Sequence, residues 1–126
     1  MSELETVFTR RSVRVTVHRT GPLWNPPTDV FETEDALMIV VEIAGMHGGE
    51  FNVSLQNRIL TITGMRQGAE RPNSFHQMEI HYGEFRTDIE LPHAVDAKRL
   101  QADYNDGFLH VVLPKKSRET IPVNRK

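Results

Sequence analysis

Apolar and polar positions alternate in short runs through residues 28–114. Leu37, Ile39, Val41 and Ile43 alternate with other residues, and the run stops at Ala44-Gly45. Phe51, Val53 and Leu55 repeat the pattern, and Gln56-Asn57-Arg58 turns the chain into Ile59–Gly64. Period-2 alternation marks half-buried strands, and Asn tolerates the positive φ of a tight turn, so Asn57 is the expected turn residue. After a polar loop, Arg66 to Asn73, come Phe75 and Met78 and then a strand from Phe85 through Ile89 and Leu91 to Pro92. Leu100–Tyr104 and Phe108–Leu113 form the last pair, joined through Asn105-Asp106-Gly107, where Asp-Gly is a strong hairpin signal. No segment carries an i, i+3, i+4, i+7 stripe over three turns. Short strands at this spacing without helices predict an all-β, immunoglobulin-like β-sandwich.

The ends break the pattern. Residues 1–27 finish in Gly21-Pro22-Leu23-Trp24-Asn25-Pro26-Pro27, whose prolines exclude regular helix. Within them only Val13, Val15 and Val17 alternate, too short a run to stand alone. Residues 115–126 are polar and basic except for Ile121-Pro122-Val123. Both ends therefore read as flexible arms around a folded domain at 28–114. Proline favours extended backbone, so Ile121 and Val123 project to one side about 6–7 Å apart. Such a pair suits a groove at a sheet edge, in the same or another chain.

Composition narrows the function classes. The 126 residues suffice for one domain, and 15 Lys+Arg against 17 Asp+Glu leave a net charge of −2. That balance argues against a nucleic-acid binder. Absence of cysteine removes disulfides, thiolate metal sites and cysteine nucleophiles. No apolar run reaches the length of a membrane span, and the first fifteen residues lack the apolar core of a secretory signal, which points to the cytoplasm. No phosphate-binding glycine loop, nucleophile elbow or His-Glu-x-x-His is present. On an extended strand His76 and His81 would face opposite ways, and Glu84, Arg86, Asp88 and Glu90 read as a solvated strand face. No catalytic residue, cofactor or metal is therefore expected. Protonating six histidines would carry the formal charge from −2 to −2 + 6 = +4, which predicts looser association at mildly acid pH.

Ala102-Asp103-Tyr104-Asn105-Asp106-Gly107-Phe108-Leu109 resembles the A-x-x-x-N-G-x-L signature of the small heat-shock protein (α-crystallin) family, bacterial type. Pro27-x-Asp29-Val30-x-Glu32, Glu42-Ile43-Ala44-Gly45, Leu60-x-Ile62-x-Gly64, Gly83-x-Phe85, Leu91-Pro92 and Leu113-Pro114-Lys115 follow the family order. Ile121-Pro122-Val123 stands where the family has its C-terminal I-x-I/V anchor. One departure is Thr87, where the family commonly has an Arg; Arg86 beside it faces the other way.

The resemblance implies an α-crystallin domain at 28–114 and an ATP-independent holdase that binds partly unfolded client proteins and prevents their aggregation. It implies a homodimer formed by strand exchange, in which Asn73, Ser74, Phe75 and His76 pair with Asp29, Val30 and Phe31 of a second copy. It further implies larger homo-oligomers, with Ile121 and Val123 seated among Val53, Leu55, Leu100 and Ala102. Phe8, Leu23 and Trp24 of the arm are the expected client contacts. A monomeric β-sandwich co-chaperone that binds one folded partner is the alternative.

Overall fold

A computed structural model describes residues 4–8, 23–46, 50–68, 72–116 and 123. Eight strands follow one another: β1 (Leu4–Phe8), β2 (Thr28–Glu32), β3 (Ala36–Glu42), β4 (Phe51–Gln56), β5 (Ile59–Arg66), β6 (Gly83–Glu90), β7 (Gln101–Asn105) and β8 (Phe108–Pro114). One turn of 3₁₀ helix, Ala97–Arg99, precedes β7, with the Asp96 side chain accepting from the Lys98 amide. The strands form two antiparallel four-stranded sheets, ordered β1-β4-β5-β6 and β2-β3-β8-β7. This is the predicted sandwich.

Alternation places the core. Leu37, Ile39 and Val41 of β3 stand opposite Leu113, Val111 and Leu109 of β8, and all six are buried. Phe51, Val53 and Leu55 from β4, Leu60 and Ile62 from β5, and Phe85 and Ile89 from β6 fill the facing side. The turns have the required backbone: Asn57 has φ 59°, and Asp106 and Gly107 have φ 52° and 83°. Two successive positive φ values are those of the two-residue turn that matches strand twist. At one end of the sandwich, Trp24, Phe85, Phe51 and Tyr104 make a row of rings with centroid separations of 5.6, 6.2 and 5.1 Å.

Three expectations change. The predicted N-terminal arm contains a strand: β1 pairs with the outer edge of β4, from Leu4 opposite Leu55 to Phe8 opposite Phe51. Val13, Val15 and Val17 lie outside the described residues. Arg66 ends β5 and does not open the loop, since the β5–β6 ladder runs two residues past Gly64. His76 and His81 lie in the irregular stretch 72–82, so the strand geometry assumed for them does not apply.

The segment before β2 ties the sheets together. Trp24 makes a parallel bridge to Phe85, its amide donating to Glu84 O at 3.3 Å and its carbonyl accepting from the Arg86 amide at 3.0 Å. Four residues later Thr28 opens β2, the edge of the other sheet. β6 and β2 therefore share one side of the sandwich, and β1 and β7 are the other two edge strands.

Candidate functional site

Of the nine large apolar side chains exposed among the described residues, six fall on β2 and residues 72–82. β2 is an edge strand, paired among the described residues with β3 alone, and Asp29, Val30 and Phe31 are all exposed. An edge strand with free backbone donors and acceptors is a template for another strand.

Between β5 and β6, residues 72–82 adopt no strand or helix, and every side chain there is exposed. Asn73, Ser74 and His76 are polar, while Phe75, Met78 and Ile80 expose 59, 69 and 62% of their surface. Both elements assigned to strand exchange thus present apolar side chains to solvent. Apolar residues grouped this way on a small domain mark an interaction surface.

Val53 and Leu55 on β4 and Ala102 on β7 are buried in the core, and Leu100 is half-buried against it. A cavity of about 240 Å³ opens beside Leu55, lined by Leu91, Val95 and Ala97 together with Arg58 and Lys116. Of the four, only Leu55 lines that cavity. The fold also lays β1 along the β4 edge. Ile121 lies outside the described residues, and Val123 is 83% exposed.

The N-terminal candidates take different positions. Phe8 ends β1 opposite Phe51, and Leu23 is half-buried. Trp24 packs against the core: its indole N–H donates to Gly83 O at 3.2 Å and its ring stacks on His81 at 5.4 Å. That position gives Trp24 a structural role that sequence reasoning missed. Arg66 was missed as well. Its guanidinium lies 4.5 Å from the Trp24 ring, and no local pattern links residues 42 positions apart.

Charged groups pair at the surface. His93 Nε2 bonds the Glu32 carboxylate and Nδ1 faces Ala94 O at 3.1 Å, so both ring nitrogens meet acceptors and the imidazolium is favoured. The bond to Glu32, then that to Ala94, raises the His93 pKa, and the same bond to His93 lowers that of Glu32. Asp88 is held below its ordinary value by the Thr61 hydroxyl, 2.7 Å away, and then by Arg86, 3.0 Å away. Arg86, neighbour of the variant Thr87, is thus engaged along its own strand. Among the described residues no group of three His, Cys, Asp or Glu side chains is placed to hold a metal ion, and no helix is long and apolar enough to cross a membrane.

Comparison with known proteins agrees with this geometry. The family model described as Hsp20/alpha crystallin family matches residues 29–126. Small heat shock protein C2 of Rickettsia felis is 32% identical over 95 residues, covering 74% of this chain and 62% of that protein. The 17.7 kDa class II heat shock protein of Arabidopsis thaliana is 36% identical over 93 residues, covering 71% and 60%. The chain spans about three-fifths of the length of these curated relatives. Heat shock protein 16.0 from Schizosaccharomyces pombe superposes with a TM-score of 0.64 at 28% identity, over 82% of this chain and 99% of that one. A small heat-shock protein from Xylella fastidiosa has the same fold, with a TM-score of 0.72 at 24% identity over 83% of this chain and 98% of that one. Sandwich, motif order and family match converge: the chain belongs to the Hsp20/alpha crystallin family of small heat shock proteins.

Proposed function

We propose that this protein is an ATP-independent holdase of the cytoplasm, which captures partly unfolded chains and keeps them from aggregating. The observation that carries this reading is the match of residues 29–126 to the Hsp20/alpha crystallin family, and Met78 and Ile80 offer exposed apolar surface outside the residues that pair below. Holding by mass action needs no fuel: whatever binds the unfolded chain removes it from the route to aggregates.

Two contacts build the working assembly. Residues 73–76 pair with Asp29–Phe31 of a second copy to form a dimer, and Ile121 and Val123 link dimers by entering the side bordered by Val53, Leu55, Leu100 and Ala102. The cavity of about 240 Å³ beside Leu55, lined in part by Leu91, Val95 and Ala97, supports this second contact. Phe8 and Leu23 are the proposed client contacts, and the packed position of Trp24 assigns it mainly to the fold.

Light scattering from a heat-stressed model client tests the reading. Equimolar protein without nucleotide should suppress the rise in scattering, and an unchanged aggregation curve would sink it.

A further inference from the structure

The end of the loop that leads into β6 is gripped by side chains from two other segments. Arg66 Nε and Nη2 donate to the His81 carbonyl at 2.9 and 2.6 Å, and Nη1 donates to the Ala44 carbonyl at 3.2 Å. The same guanidinium lies 4.5 Å from the Trp24 ring centre and 5.6 Å from that of Tyr82. Trp24 stacks on the His81 imidazole at 5.4 Å and donates from its indole to Gly83 O at 3.2 Å. His81, Tyr82 and Gly83 are therefore each held by a different contact, and Gly83 then turns the chain into β6 with φ 93°. Residues 72–80, just before the grip, are all exposed and belong to no strand.

We propose that Arg66, seated on Trp24, is a positioning residue that fixes a pivot at His81–Gly83, from which residues 72–80 swing out to a second copy. The inference rests on the strand-exchange reading above. Every group in the clamp belongs to the same chain as the segment it holds, so exchange leaves the clamp intact. With Arg66 bonded to His81, both ends of the segment start from one place, which limits the conformations lost on pairing. A planar, forked guanidinium is suited to this combination of ring stacking and paired donation, and a lysine ammonium is not.

The test uses the full chain with three changes: deletion of residues 73–78, R66A and R66K. Fluorescence-detected sedimentation over a dilution series gives the dimer dissociation constant, and emission from Trp24, the single tryptophan, reports the clamp. The deletion should be monomeric. R66A should raise the dissociation constant about tenfold, the cost of ordering roughly one further residue, and shift Trp24 emission to the red. R66K should fall between, and if R66A does not fold, R66K carries the test alone. A structural role alone would lower the melting midpoint of the monomeric deletion as much as that of the full chain, without the tenfold change. A monomeric deletion with wild-type dissociation in the folded Arg66 variants would overturn the clamp and leave exchange standing. A deletion that still dimerises overturns exchange and the clamp with it.

Discussion

Gly64 of β5 stands directly opposite Phe85 of β6, and the phenylalanine ring occupies the space a Cβ at Gly64 would need. The same Cβ would lie 2.9 Å from the Glu50 carbonyl, so both a buried ring and the backbone would have to move. Overpacking of this kind costs about 1–3 kcal/mol. G64A should lower the urea midpoint of unfolding accordingly. An unchanged midpoint would show that Phe85, which is fully buried, repacks without strain.

Gly64 also shows what local sequence does and does not disclose. The glycine ending Leu60-x-Ile62-x-Gly64 reads as a strand end, yet its function is close packing and the ladder continues to Arg66. β3, β4, β5, β6 and β8 were legible because one face of each is buried, which imposes alternation. Asn57 and Asp106-Gly107 were legible because turn geometry restricts the residue type. β2 has no inward face to pattern, being exposed over Asp29–Glu32, and only resemblance pointed to it. β1 is short, and its partner β4 lies more than forty residues away. The Arg66–Trp24–Tyr82 cluster depends on three distant segments, so nothing periodic announces it.

The Tyr104 hydroxyl donates to the Ile43 carbonyl at 2.8 Å and accepts from the Met46 amide at 3.4 Å, fastening the exit of β3 to β7. Y104F keeps the ring against Phe51 but leaves a part-buried carbonyl without this donor. A loss of about 1 kcal/mol is expected in chemical denaturation. A variant as stable as the parent would mean that water replaces the hydroxyl at no cost.

The Glu32–His93 pair gives β2 a pH dependence. The folded pKa of His93 lies above its ordinary 6.5, so its contribution is complete below that value and fades as pH rises through the raised one. Glu32 is lowered from 4.5, so its contribution is present above that value and is lost as pH falls through the lowered one. The tie is therefore firmest between about pH 4.5 and 6.5. This opposes the loosening expected from histidine protonation alone. An NMR titration should find His93 above 6.5 and returned toward it in Glu32→Gln. A wild-type value at or below 6.5 would dismiss the pair.

Replacing Ile121 and Val123 together by alanine removes both knobs of the tail. If they join dimers, sizing with mass determination should find the assembly reduced toward dimers, with melting of the β-sandwich unaltered. Particles of parental mass would rule out this anchor.

The short passage from Trp24 to Thr28 acts as the spine of a book. It binds the margin of one sheet to the margin of the other, and no backbone bridge of this kind joins the far edges β1 and β7 among the described residues. Heat that loosens the two covers should therefore part them on the side away from Trp24, toward the edges β1 and β7. Thermal expansion would then be directional, widening the margin proposed to receive Ile121 and Val123 before the Trp24 side gives way.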